Sequence, residues 1–315
     1  MTVGAAGALA TGCGSATERA AGAAPKRVAR TRLPGQILQP GTGPIDGDHY
    51  LASQVEQVLW GYLPRAQDDA VLRMRSGRTV TIDSLSHEGI LEDQGRDPVA
   101  WFAGKGVPRK QVLTDGIEVA ASYDRHPRNF DVDGPHVVTG PVDVMGAQPG
   151  DVLKVELLSA LPRVPYGVVS SRHGKGALGA PFATPAGGIT AGEVMPMTPD
   201  GRATTTDPLQ YGNVSTFTPI GRGKRGVVSG FLPVGSSGQL AFPLDPFSGI
   251  MSVATVADAA TLNDPLVNSV PPTLGGGNID VKLLSVRRST CRSASTARSS
   301  PSAIRTWPWV TARSR

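Results

Sequence analysis

Two cysteines in 315 residues are too few for a disulfide framework or a cysteine-based zinc cluster, and both, Cys13 and Cys291, lie in compositionally odd ends of the chain. There is no uninterrupted apolar run of about 18 residues, so no segment reads as a membrane-spanning helix. The order GxxxxGK[ST] is missing, so Arg172-His173-Gly174-Lys175-Gly176 is not a nucleotide phosphate loop. No serine sits in a GxSxG elbow and the body holds no cysteine, which disfavours a covalent nucleophile. Aromatic residues make up 5% of the chain and hydrophobic ones 39%, an ordinary balance for a water-soluble globular core.

Glycine (39) and proline (27) are plentiful, which suits many short strands joined by turns. The net charge of +5 at first suggests an anionic partner. Seven arginines, with no lysine or acidic residue, fall within 287–315, however, so residues 1–286 carry 24 basic and 26 acidic side chains, a net of about −2. A near-neutral body predicts no nucleic-acid partner.

The most informative stretch is 133–158. Along Leu153-Lys154-Val155-Glu156-Leu157 apolar and charged residues alternate, the period of a half-buried strand, and Pro149-Gly150 before it forms the centre of a type II turn. Further strands are predicted over 137–145, 116–122 and parts of 231–253, with a hairpin over 71–83 that breaks at Ser76-Gly77 and turns Val80 and Ile82 inward. Asp97-Pro98 followed by Val99-Ala100-Trp101-Phe102 predicts an N-cap, a first-turn proline and a short helix. The fold class is therefore mainly β, sandwich or barrel-like, with minor helical insertions.

Residues 1–32 are rich in alanine and glycine, and Gly12-Cys13 is placed like a bacterial lipoprotein cleavage site. Two readings follow: an exported or lipid-anchored protein with a truncated signal, or a disordered tail on a cytoplasmic one. Residues 33–48 read as a linker, 33–286 as the folded domain including it, and 287–315 as a disordered tail. Three positions stand out chemically. His136 suits a metal ligand, a general base or a capped surface residue. Asp280, after Gly275-Gly276-Gly277 and Asn278, suits metal coordination, orientation of a water, or an Asx-type turn. His173 and Lys175 either face a site across a close glycine-rich approach or belong to a solvated loop.

The string HVVTGPVDVMGAQPGD at 136–151 resembles the HxxTGPV…PGD signature of the acetamidase/formamidase family. The likeness continues in family order through WGYLP (60–64), SGRTVTIDSLSHEG (76–89), PYGVVSSRHGKGAL (165–178), LAFPLDPFSGIM (240–251) and GGNID (276–280), over roughly 230 residues. The resemblance implies hydrolysis of small linear amides, formamide- or acetamide-like, to a carboxylate and ammonia. It places His136 and Asp280 at a divalent metal, zinc by preference, Asn278 as an orienting group and His173 at the rim. A small-molecule amide is the implied partner, and a homo-oligomer is compatible with it. Two departures matter. Many relatives have a histidine before the Trp-Gly-Tyr block where this chain has Leu59, leaving His49 and His87 as nearby candidates for its role. After Val286 the family's closing Asp-Pro-His and Gly-Asp-Gly-Glu groups are replaced by Arg/Ser/Thr-rich text, for which codons can be chosen whose neighbouring frame reads LPVRVDGALFSVGDPHMAMGDGEVA. That points to a frameshift near Val286, and to a non-catalytic remnant β-domain as the alternative to a working enzyme.

Overall fold

A computed structural model describes residues 32–64, 68–128, 133–148, 151–172, 213–247 and 249–254, and the backbone alone of 276–278, 288–292, 305–309 and 312–314. The elements in chain order begin with β1 (His49–Leu51), β2 (Val58–Trp60), β3 (Leu72–Arg75), β4 (Val80–Ile82), α1 (Pro98–Ala103) and α2 (Thr114–Ser122). There follow β5 (Val137–Thr139), β6 (Val142–Met145), β7 (Val152–Glu156), β8 (Ala160–Pro162), β9 (Tyr166–Arg172), β10 (Asn213–Arg222), β11 (Val228–Val234), β12 (Gly238–Pro243) and β13 (Ile250–Val253). The last are β14 (Gly276–Asn278), β15 (Arg288–Arg292), β16 (Arg305–Trp309) and β17 (Ala312–Ser314). The protein is mainly β. Its larger sheets run β1-β4-β17-β8, β12-β11-β10-β9 and β14-β13-β16-β6-β3, and β15-β7 and β2-β5 form two-stranded ribbons. No helix among the described residues is long and apolar enough to cross a membrane.

Several elements are where the sequence puts them. In β7, Leu153 and Val155 are half-buried while Lys154 and Glu156 are exposed on the other face and paired at 3.2 Å. Ahead of it the Asp151 amide donates to the Gln148 carbonyl at 3.0 Å, the reversal the sequence predicts, although Pro149 and Gly150 themselves lie outside the described residues. Helix α1 is capped by the Asp97 carboxylate, which accepts from the Ala100 amide at 3.0 Å.

Other expectations are corrected. Residues 116–122 belong to helix α2. Its buried positions Asp115, Gly116, Val119 and Ala120 follow a helical spacing, and Val119 and Ala120 pack against Val58, Trp60 and Leu85. The turn at Ser76-Gly77 exists, but its two strands do not form a hairpin. β3 runs parallel to β6, whereas β4 runs parallel to β1, because Val80 and Ile82 must reach Leu51 and Val142 in a shared apolar cluster. The run 137–145 is two strands, broken at Gly140-Pro141. The stretch 33–48 is no loose linker: Leu38 is buried, its amide donates to the Arg163 carbonyl at 2.8 Å, and the Gln39 side chain bonds Val112 and Thr114. In the tail, β15 pairs with β7, β16 lies between β13 and β6, and β17 pairs with β4 and β8.

Beneath β8 lies a charged cluster. Arg163, 1% exposed, donates from Nη1 to Asp115 Oδ2 at 2.7 Å and from Nε to the Leu38 carbonyl at 3.0 Å, with Asp83 Oδ2 3.7 Å from Nη2. Ser53 donates to the same Asp115 oxygen at 2.6 Å, and Tyr50 donates to Asp83 at 2.6 Å. This network ties 38–53, the end of β4, α2 and β8 together. A buried charge of this kind is tolerated because each ion has an opposite partner and hydrogen bonds.

Candidate functional site

The site is assembled from three chain segments, 60–62, 86–88 and 133–136. The first is Trp60-Gly61-Tyr62, at the end of β2. Trp60 is fully buried, its indole N–H donates to the Pro135 carbonyl at 3.1 Å, and its amide donates to the Tyr123 hydroxyl at 2.9 Å. The Arg128 guanidinium lies over the indole at 4.4 Å and makes a two-point pair with Glu92 at 2.9 and 3.2 Å. Gly61 has φ +89°, and a Cβ there would stand 2.5 Å from Arg128 Nη1 and 2.7 Å from the Gly134 carbonyl, so only glycine fits. Its amide donates to the His136 carbonyl at 2.7 Å, which holds the approach to β5 against the end of β2. Tyr62 donates to Asp133 at 2.6 Å; burial, then the bond to and charge of Asp133, raise the phenol well above its usual range.

His136 is therefore held from its backbone, one residue before β5. Its ring meets that of His87 edge to face, centroids 5.3 Å apart. His87 Nε2 lies 3.1 Å from Glu88 Oε1, and both side chains are largely buried. Glu88 Oε2 accepts from Gln94 at 2.7 Å and from Ser215 at 3.1 Å, while its amide donates to Ser86 at 3.1 Å. Burial alone would push the Glu88 carboxyl up. The hydrogen bond and charge of His87, with bonds from Ser170 and Gln94, outweigh it and hold the carboxyl near 2. The carboxylate thus fixes the orientation of His87, whose Nε2 faces Glu88 while Nδ1 lies on the opposite side of the ring.

Of the residues singled out from sequence, His136 is in this cluster. Asn278 ends β14 opposite Ile250, and Ile250 packs on Leu63 beside the Trp60 block; only its backbone is described. His173 and Asp280 lie outside the described residues, as does Lys175. His49 sits in β1 opposite Val80, whereas His87 reaches His136, so His87 takes the place beside it. Leu59 is buried against Val138 as an ordinary core residue. Sequence reasoning offered His87 only beside His49, as a nearby candidate for the role of the histidine that Leu59 replaces. The signal that could have found it is the adjacent Glu88, a carboxylate next to an imidazole a few residues after the apolar strand β4. Among the described residues no group of three His, Cys, Asp or Glu side chains is placed to hold a metal ion. Glu88 is already engaged by His87, Gln94 and Ser215, so it is not a spare ligand, whereas the His136 imidazole is a donor of the type zinc favours.

No protein-family model matches the chain, and no curated protein matches it. Solved structures do. A recombinant predicted acetamidase/formamidase from the thermophile Thermoanaerobacter tengcongensis is similar at TM-score 0.45 and 18% identity, over 82% of this chain and 59% of that one. An acetamidase from Bacillus halodurans gives 0.43 and 18%, over 82% and 60%. A gamma lactamase from Delftia acidovorans gives 0.44 and 15%, over 83% and 60%. The chain spans about 60% of the length of these structures.

Proposed function

We propose that this chain is a member of the acetamidase/formamidase family and hydrolyses the C–N bond of linear primary amides to a carboxylate and ammonia. The observation that carries the reading is the meeting of His136 and His87, with Glu88 fastened to the second imidazole in a buried setting. Amide hydrolysis needs an activated water, a stabilised oxyanion and a proton for the departing ammonia. His87, oriented by Glu88, is the group that takes the proton from water and returns it to the leaving nitrogen. His136 and Asp280 are the residues that would hold a divalent metal, zinc by preference. When bound, that ion polarises the carbonyl and lowers the pKa of a bound water. Asn278 would orient the amide, and His173 would stand at the rim.

The test is ammonia release from a panel of primary amides by purified protein, with metal content measured on the same sample. His136→Ala and His87→Ala are each expected to lower turnover by about 10²- to 10⁴-fold, and His136→Ala alone to lose the metal. Folded protein that takes up zinc stoichiometrically and releases no ammonia from any amide overturns the enzymatic reading and leaves a non-catalytic β-domain.

A further inference from the structure

Against Glu88 lies a cavity of about 480 Å³, bounded by α1, the 112–116 turn into α2, β9 and the 242–247 segment that ends β12 and continues beyond it. Its walls are mostly hydrocarbon and aromatic: Phe102, Val112, Tyr166, Ile220, Phe242 and Leu244 are among them. Polar groups are few. Arg163 lines it with its charge already matched by Asp115. The exposed Asp245 and Phe247 mark its open side. Glu88 also lines it, and Glu88 is the residue that grips His87.

We propose that this cavity is the acyl pocket of the hydrolytic site, and that it selects primary carboxamides carrying a bulky apolar acyl group, an arylalkyl or medium-chain alkyl body, over formamide and acetamide. The proposal rests on the amidase reading for its chemistry and goes beyond it in naming the substrate class. Position is the first support. Glu88 lines the cavity and its Oε1 lies 3.1 Å from His87 Nε2, so the cavity and the imidazole assigned to proton transfer share this residue. Size is the second. Pockets of about 300–1,000 Å³ enclose drug-sized molecules, and a one- or two-carbon amide would leave most of this space unfilled. Lining is the third, because mostly apolar walls reward the burial of hydrocarbon.

Gly167 offers a handle. It lies in β9 opposite Thr218 and lines the cavity, and a Cβ built on it meets no atom within 4 Å. The wall therefore has room for a larger side chain at this position, and Gly167→Leu is the variant that tests whether filling it narrows the cavity.

The experiment compares kcat/KM for phenylacetamide, hexanamide and acetamide in the wild type and Gly167→Leu, and titrates phenylacetamide calorimetrically into both, with the melting temperature as a fold control. The expected result is a preference of at least tenfold for phenylacetamide and hexanamide over acetamide, with that ratio reduced at least tenfold in Gly167→Leu. Acetamide turned over as well as phenylacetamide, without calorimetric binding of phenylacetamide, overturns the pocket and leaves the amidase reading standing. Phenylacetamide binding lost in Gly167→Leu, with no hydrolysis of any amide, supports the cavity's ligand class and overturns the hydrolytic reading. Neither binding nor turnover overturns both. The wild-type titration decides the matter if the variant fails to fold.

Discussion

Glu88 is a buried carboxylate kept ionised by its neighbours. Its carboxyl stands near 2 in the folded protein against an ordinary 4.5, because the His87 bond and charge more than offset burial. A group depressed on folding contributes stability that is fully present above 4.5 and is lost as pH falls toward 2. Urea unfolding of the wild type is therefore expected to weaken across that window. Glu88→Gln should flatten the slope there and lower kcat more than it changes KM, since His87 loses the partner that orients it. An unchanged pH profile in Glu88→Gln would separate the carboxylate from His87. This residue scale is where the sequence was hardest to read. Ser86-His87-Glu88 carries no periodicity that distinguishes a surface turn from a buried dyad, and the distinction lies in which ring it meets.

At the scale of elements, α1 was legible and α2 was not. Asp97-Pro98 is a local signal, an acceptor for free amides followed by a residue that has no amide to satisfy, and the cap forms as expected. Asp97→Ala should lower stability by about 1 kcal/mol, measured by urea denaturation. Gly116-Ile117-Glu118-Val119 alternates like a strand over a short window, and the register that wins is set by partners far away in the chain. Val119 and Ala120 face Trp60, while Asp115 must reach Arg163. Asp115→Ala leaves that guanidinium buried without its main counter-charge and is expected to lower stability by about 3–5 kcal/mol. A loss no larger than that of Asp97→Ala would mean the ion pair does not hold α2 in place. The hairpin expected over 71–83 failed for the same kind of reason: a turn signal fixes a reversal, but strand partners are chosen by apolar faces.

For the whole molecule, the packing predicts a gradient of rigidity. β2, β5 and the second half of α2 share a fully buried cluster around Trp60, whereas β12 is exposed along most of its length and carries Leu240 half in water. Amide hydrogen exchange is expected to be slowest in Val58–Trp60 and Val137–Thr139 and much faster across Gly238–Pro243. Equal protection in the two regions would show that the β11–β12 arm belongs to the same cooperative unit as the core.

Turn chemistry, strand alternation, helix capping and the near-neutral body were decided by the sequence alone, because each depends on residues within one turn or one strand of one another, or on composition. So was the order of motif blocks that resembles the acetamidase/formamidase family. Tertiary structure decided which imidazole stands beside His136, that 116–122 coils and does not extend, and that an apolar cavity shares Glu88 with the histidine pair. Those outcomes depend on contacts between segments tens of residues apart, where close packing and the pairing of buried charge choose among local conformations of similar energy.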